Sequence, residues 1–480
     1  VTITLKPRQI DDLEFFRAHP QAALWHEVGV GKTHPTIFRM FELLDEKPSN
    51  VVVVVVKRSL FRAWIEKMTE TAAGNPKWEA HARSVSVLTG GSKSVRPNSR
   101  VYLVNYDFFP KAAPVFAEFA RQGMLVAFVL DEAQKIKGFR GFRSKKGVRA
   151  RSIIEVSEKV PFRYALSGSP VLNPNSSDVW GIYYYLDNRI FGPTRWKFVQ
   201  EFFYNLAMGQ PYERLVLKPG MKEEMSRRMY LIARRLLKKD LPESEFPELN
   251  RIQYLVEMPD KVRERYEELK HKAITEIEGQ EITRPMILAR LMSLQQIASG
   301  FVIQEGVPYL IDASHKWEPV AETLEEIGVG EPVVVWAHFR HEIEYLHKQI
   351  KALGRTPIIA YGGMSRSLLE GAINGFQIGA YDTIIGHPQT AGAGLDLQRA
   401  AHALRFSRSY VLEDFEQSDG RINRAHSEHD VTTHHEYITE NSRDEDVALA
   451  LFSKQDLSRS ITLDFVTEAV RHAPGGVILP

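Results

Sequence analysis

Three runs in the first third of the chain are apolar without alternation: "SNVVVVVVK", "RVYLVNY" around Val101, and "MLVAFVLDEA" around Val129. A strand with water on one face alternates, whereas a strand covered on both faces, as in a parallel sheet, does not. Amphipathic segments of helical spacing lie between these runs, giving the βαβ order of an open α/β sheet. From about Val171 to Gly300 the pattern turns mostly helical, with "DKVRERYEELKHKAITEIEG" the plainest charged amphipathic helix. The Pro-rich "DLPESEFPELN", from Asp240 to Asn250, reads as a linker. After Trp317 the strand–helix alternation returns in "EPVVVWAHF", "TPIIAYGG" and "YDTIIGH". Two α/β units with a helical region between them follow.

Composition narrows the chemistry. At 480 residues, the chain has room for two large or three ordinary domains. The formal net charge is only +2, so a nucleic-acid surface has to be a local basic patch rather than a global field. There is no cysteine, which removes disulfides, thiolate metal sites and cysteine nucleophiles and fits a reducing compartment. The longest aliphatic run, Val51 to Val56, falls far short of a membrane span, and "VTITLKPRQIDDLEFF" has acids where a signal peptide needs an apolar core. The expectation is a soluble, cytoplasmic protein with no membrane partner, in the host cytoplasm if the source is viral.

Two short stretches carry the chemistry. In "WHEVGVGKTHP", Gly29 and Gly31 let backbone amides approach phosphate oxygens, Lys32 would reach the terminal phosphates, and the Thr33 hydroxyl would hold Mg²⁺. The full G-x-x-x-x-G-K-S/T pattern wants glycine where His26 stands, so the stretch alone is also readable as a chance Gly-Lys turn. About 100 residues on, "FVLDEAQ" ends a buried strand in Asp131, a metal-binding candidate, and Glu132, a candidate to polarise an attacking water. A lysine loop paired with a strand-ending acidic pair points to hydrolysis of a nucleoside triphosphate.

With these in place, the chain resembles the superfamily 2 helicase-like ATPases, and within them the SWI/SNF-type remodeller ATPases, over nearly its whole length. "LKPRQIDDLEFF" is similar to that family's adenine-reading segment, so Gln9 would read the base, and the family's phosphate loop also lacks the first glycine. "VVVVVVKRSLFRAWIEKM" resembles its strand followed by Ser-Leu-Trp, with Ser59, Leu60 and Trp64 in place and Lys57 where proline is usual. "LVNYDFF" resembles the segment whose tyrosine, here Tyr106, touches the nucleic-acid backbone, and "LSGSPVLN" the coupling segment, with Ser167 and Ser169 keeping its hydroxyls. Further on, "TAGAGLDLQRA" is similar to the second lobe's Gly-Leu-Asn-Leu loop through Gly394, with Asp396 replacing asparagine. "EQSDGRINRAH" resembles the arginine-finger helix through Gln417, Gly420, Arg421 and Arg424; its two arginines, three apart, are expected on one helix face. Further departures lie in the second lobe: Leu369 stands where an arginine is usual, "RFSRSYVLED" lacks Trp-Asn-Pro, and Ala425, His426 and Ser427 replace Ile-Gly-Gln.

The resemblance implies an α/β fold of two RecA-like P-loop lobes, each a mostly parallel sheet flanked by helices, with helical insertions between them. The expected division is lobe 1 over 1–170, its helical extension over 171–240, a linker and helical region of lobe 2 over 241–315, lobe 2 with the arginine fingers over 316–460, and a C-terminal tail over 461–480. ATP and Mg²⁺ are the implied cofactors. The implied partner is DNA, duplex or forked, held through phosphates, with RNA left open. The basic stretch 135–151, with eight Lys or Arg, no acid and three glycines, is expected to be a flexible loop lining that groove through Lys135, Lys137, Arg140, Arg143, Lys145 and Lys146. "SRRMYLIARRLLKK" is expected to carry Arg227, Arg228, Arg234, Arg235, Lys238 and Lys239 on a bracing helix. "HSEHDVTTHHEY" offers His426, His429, His434 and His435, but the spacing matches no closed zinc site, and a solvated loop is expected. The activity implied is a DNA-stimulated ATPase that translocates on duplex or branched DNA. A strand-separating DNA or RNA helicase, and an ATP-switched binding module with little turnover, stay open. The economy of length points to a compact bacterial or viral source.

Overall fold

The computed structural model describes residues 3–89, 99–142, 147–168, 177–207, 214–242, 246–279, 284–391, 397–424, 427 and 429–451. The tail expected over 461–480 lies outside them. The chain divides into two compact units, one built on residues up to Leu241 and the other on Pro242–Ser453.

In the first unit the strands are β1 (Gln21–Leu24), β2 (Val51–Val55), β3 (Val85–Leu88), β4 (Val101–Val104), β5 (Leu125–Asp131), β6 (Phe162–Leu166), β7 (Phe203–Asn205), β8 (Leu215–Leu217) and β9 (Ala233–Arg234). Seven of them form one parallel sheet in the order β3-β4-β2-β5-β6-β1-β9. The valine run shows why it does not alternate. Val51, Val53 and Val55 pack into a core with the helices Phe109–Arg121, Val148–Ser157 and Asp178–Asp187, while Val52, Val54 and Val56 pack on the opposite face with the helices Thr33–Glu46 and Phe61–Ala72. Helices on both faces make this a doubly covered sheet, the α/β form read from the sequence.

The second unit adds β10 (Glu248–Val256), β11 (Phe301–Gln304), β12 (Val307–Leu310), β13 (Val333–Trp336), β14 (Pro357–Ala360), β15 (Thr383–Gly386), β16 (His402–Arg405) and β17 (Val431–Thr439). Its parallel sheet runs β10-β17-β16-β13-β15-β14. The same division of labour holds: Val333 and Val335 face one core, Val334 and Trp336 the other.

Helices predominate in the region 171–300, which also contains the β7–β8 hairpin, β9 and β10. Three expectations are corrected. The linker read to Asn250 ends earlier, since Glu248–Asn250 already pair with Val431–Thr433. The bracing helix stops at Met229; Arg234 lies in β9, because the segment after the helix supplies carbonyls to the open edge of β1, through Ala23 N to Ile232 O and Trp25 N to Arg234 O. Lastly, the histidine segment is not a solvated loop beyond Asp430. It forms β17, with His434 and His435 buried. Its polar side chains are tolerated inside because they are paired, His434 with Asp419 and Glu436 with arginines.

Candidate nucleotide site

Strands β5, β6 and β1 lie side by side and end level, with Leu166 opposite both Leu24 and Asp131. The carboxyl ends of neighbouring parallel strands are where α/β sheets present ligand-binding turns. Here three such turns meet: the loop after β1 with Lys32, the acidic pair at the end of β5, and Ser167 after β6.

The loop after β1 is held from several sides. Gly29 and Gly31 have φ of +94° and +104°, and a Cβ on Gly31 would come 2.8 Å from Gln9 Nε2. Only glycine meets both demands. Gln9 donates from Nε2 to Gly31 O at 3.0 Å and accepts from Lys6 N at 3.0 Å, which leaves part of its amide's bonding capacity for a base. Lys32 is partly buried and donates to His26 O at 2.7 Å and Glu27 O at 3.3 Å. Burial pushes its ammonium below the usual lysine range, while Glu132, Asp131 and Glu27 oppose that shift. Thr33 opens the following helix. His26, standing where the full loop pattern has glycine, contributes through its side chain: Nε2 meets both oxygens of buried Asp12, at 2.9 and 3.0 Å, and Arg234 of β9 lies 3.4 Å from Asp12. The pair ties the loop to the helix Pro7–Ala18 that carries Gln9.

The acidic turn is equally determined. Asp131 is partly buried, and desolvation together with the Glu132 charge raises its carboxyl to about 6, with Trp64, Lys32 and Lys67 opposing. Trp64 Nε1 donates to Asp131 Oδ2 at 2.8 Å. Trp64→Phe removes a hydrogen bond to a charged group, worth about 1.5–3 kcal/mol. With Asp131 expected to hold Mg²⁺, loss of the bond that orients its carboxyl is expected to raise the Mg²⁺ concentration needed for half-maximal ATP hydrolysis, and an unchanged Mg²⁺ titration would remove this role for Trp64. Glu132 has φ 58°, the left-handed region. Tyr106 holds that turn, its hydroxyl donating to Asp131 O at 2.7 Å and Glu132 O at 3.3 Å. From Glu132 a hydrogen-bonded run leads to β6: Gln134 Nε2 donates to Glu132 Oε2, and Ser167 Oγ donates to Gln134 Oε1, each at 2.7 Å.

Two residues read as nucleic-acid contacts are part of this arrangement. Tyr106 and Ser167 are buried, and their hydroxyls serve the acidic turn. The basic stretch is less of a loop than expected. Ala133–Ile136 is a 3₁₀ turn, Phe139 is buried with its ring stacked on Trp180 at 5.3 Å, and Val148 begins a helix. Lys137 and Arg140 are exposed, and Lys135 is partly so. Arg143, Lys145, Lys146, Ser169, Gly394, Asp396 and the side chain of Ser59 lie outside the described residues.

In the second unit, the helix Leu412–Asp419 carries Gln417 and ends before Arg421 and Arg424, which occupy the turn after it rather than a helix face. Gly420, a poor helix former, closes the helix. The turn is fixed by Arg421 O accepting from Leu397 N at 3.1 Å, Arg424 Nε donating to Gly420 O at 3.1 Å, and Asn423 Nδ2 donating to Pro247 O at 2.8 Å. Asp419, its carboxyl buried, anchors the turn's start. Burial alone would raise that carboxyl, but Arg251, His434 and Arg405 hold it well below the usual range. Asp419, His434 and Glu436 bring ligand atoms within 4.8 Å of one another, yet their oxygens are taken by Arg251, Arg405 and Arg408. That is an ion-pair cluster, unsuited to a further cation.

The roles of Asp12, His26 and Asn423 are not readable from the sequence, because each acts through a partner outside its own motif, His26 with Asp12 and Asn423 with Pro247. The DEAQ run does place Gln134 two residues beyond Glu132, the one local signal for the run to Ser167.

A lysine-bearing glycine loop and a strand-ending acidic pair, assembled on a doubly covered parallel sheet, define a P-loop nucleoside triphosphatase. The chain matches the SNF2-related domain over residues 13–300 and the helicase conserved C-terminal domain over 315–426, and it belongs to the SNF2-related family. It is accordingly a nucleic-acid-dependent ATP hydrolase of helicase superfamily 2. Putative protein p41 of Acyrthosiphon pisum secondary endosymbiont phage 1 is 24% identical over 440 residues, covering 88% of this chain and 89% of that protein. The pre-mRNA-splicing ATP-dependent RNA helicase prp28 of Schizosaccharomyces pombe is 27% identical over 123 residues, 26% of this chain and only 18% of that one. The Sulfolobus solfataricus SWI2/SNF2 ATPase core, solved in complex with dsDNA, is 20% identical with a TM-score of 0.41, covering 100% of this chain and 98% of that one. Among the described residues, no helix is long and apolar enough to cross a membrane.

Proposed function

We propose that this chain is a DNA-stimulated ATPase that translocates along duplex or branched DNA and remodels DNA or protein–DNA complexes, with fork remodelling or strand annealing ahead of nucleosome work. The observation that carries the reading is the run Glu132–Gln134–Ser167. It couples the group assigned to water activation to the end of β6, so a shift of one displaces the other.

In this reading Gly29 and Gly31 open the loop's backbone amides to phosphate, Lys32 meets the terminal phosphates, and Gln9 contacts the base. The oxygen donors of Thr33 and Asp131 suit a hard divalent ion and would hold Mg²⁺. When bound, that ion would neutralise phosphate charge. Glu132 orients the attacking water and takes its proton. Arg421 and Arg424 are assigned to the charge that develops on the transferring phosphoryl group, and Gly394, Asp396 and Gln417 to nucleotide contacts from the second unit. Exposed Lys137 and Arg140, close after the acidic pair in the chain, supply phosphate contacts with little sequence preference.

The test is steady-state ATP hydrolysis with no polymer, single-stranded DNA, duplex, forked DNA and RNA, with Lys32→Ala as control. Duplex or fork is expected to stimulate several-fold more than RNA. Stronger stimulation by RNA would favour an RNA-directed enzyme, the alternative that the similarity to prp28 supports. Equal rates under every condition would remove the translocase.

A further inference from the structure

The helix Phe61–Ala72 sends two side chains, one turn apart, to the two residues assigned to Mg²⁺. Trp64 reaches Asp131, as described above. Lys67 Nζ donates to Thr33 Oγ1 at 3.4 Å. A hydroxyl oxygen offers two lone pairs. The contact with Lys67 engages one of them, on the atom that would also face a divalent ion. Two cations at that range repel, more strongly in a partly buried site than in water.

We propose that Lys67 is a built-in competitor of the divalent ion: its ammonium supplies positive charge beside the Thr33 hydroxyl and Asp131 when no metal is bound, and it must turn away when the metal enters. Lys67 is only partly buried, and a lysine's four-carbon stem has the rotamer freedom for such a turn. The consequence is a nucleotide site that keeps phosphate affinity without metal but requires more Mg²⁺ to saturate. This rests on the ATP-site reading given above. It is a positioning and charge-balancing role, distinct from the contact of Lys32 with phosphate.

The experiment is calorimetric titration of ADP into the full chain, in EDTA and across a Mg²⁺ series, for the wild type, Lys67→Met and Lys67→Arg. In Lys67→Met, which keeps the stem and loses the charge, ADP is expected to bind about tenfold more weakly in EDTA. The Mg²⁺ concentration giving half the metal-dependent gain in affinity is expected to fall by about threefold or more. Lys67→Arg should stay near the wild type on both. The opposite directions are the signature, since a merely structural defect weakens both. Shifts in the same direction, or none, would overturn the proposal. Lys67→Gln repeats the test if thermal unfolding shows that Lys67→Met is not folded. A wild type that binds no ADP at any Mg²⁺ concentration would sink the ATP-site reading itself, whereas normal wild-type binding with unmoved variants sinks only this inference.

Discussion

Glu132→Gln is expected to bind ATP about as well as the wild type and to lose turnover by a factor on the order of 10²–10⁴, the usual contribution of a positioned general base. The substitution is nearly isosteric, and its remaining oxygen can still accept from Gln134. The left-handed turn at residue 132, with Tyr106 bonded to its carbonyls, has no reason to move. What is lost is the negative charge that orients and deprotonates water. Strain of about 1–3 kcal/mol at a non-glycine residue in this region of backbone space is retained only where the surroundings impose it. At Glu132 they do, through Tyr106 behind the turn and Gln134 beside the carboxylate. Single-turnover hydrolysis with radiolabelled ATP, read beside ADP affinity, separates the effects. Lys32→Ala should lose affinity and turnover together, Glu132→Gln turnover alone. Turnover within twofold of the wild type in Glu132→Gln would remove that residue from the chemistry.

How much of this was legible follows from where the information lies. Strands β2, β4, β5 and β13 are buried on both faces, and a double-faced strand advertises itself as an unbroken apolar run. The loop at Gly29–Thr33 and the acidic pair were legible because phosphate chemistry dictates local spacing. By contrast, β10 lies at the edge of its sheet with mostly exposed side chains, so the apolar residues of "ELNRIQYLV" neither run unbroken nor alternate, and its strand form comes from backbone pairing with β17. β9 was hidden for the opposite reason. An apolar, arginine-rich stretch has good helical propensity, and the unfilled edge of β1 overrides it. Strand β17 was misread because histidine, glutamate and threonine signal solvent unless their partners are known, and those partners, Asp419, Arg405 and Arg251, come from three other elements. Tyr106 and Ser167 show the same limit within the site: the motif marks the residue as used, but only the fold tells which neighbour uses it.

The same buried cluster gives the largest expected effect on stability. Glu436 accepts from Arg251 at 2.6 Å, Arg405 at 3.2 Å and Arg408 at 3.1 Å. Arg251 and Arg405 also meet Asp419, each at 2.7 Å, and Arg408 meets Asp444, which in turn pairs with Lys316 at 2.6 Å. Apart from Arg251 and Asp419, which keep slight exposure, these side chains are essentially shut off from water. Glu436→Ala removes the anion shared by three guanidiniums and opens a cavity, and breaking a buried pair in this way costs about 3–5 kcal/mol. Glu436→Gln keeps the shape and some hydrogen bonding, so it should cost less. Against burial, Arg405, Arg408 and Arg251 hold the Glu436 carboxyl below its usual value. A lowered carboxyl contributes stability above its unfolded value of 4.5 and loses it as pH falls through the folded value, so the wild-type cluster should persist at neutral pH and fail only in acid. Urea denaturation at neutral pH, followed by the fluorescence of Trp336 and Trp317 in the same unit, measures the loss. Because the chain has two compact units, the transition that shifts should be the one these tryptophans report. A loss under about 1 kcal/mol in Glu436→Ala would mean that Asp419 and Asp444 alone balance the arginines. A full loss would also loosen Asp419 at the start of the turn bearing Arg421 and Arg424. Conditions mild enough to keep Glu436→Gln folded should then still show weakened turnover, tying the stability of this core to the placement of the arginines assigned to catalysis.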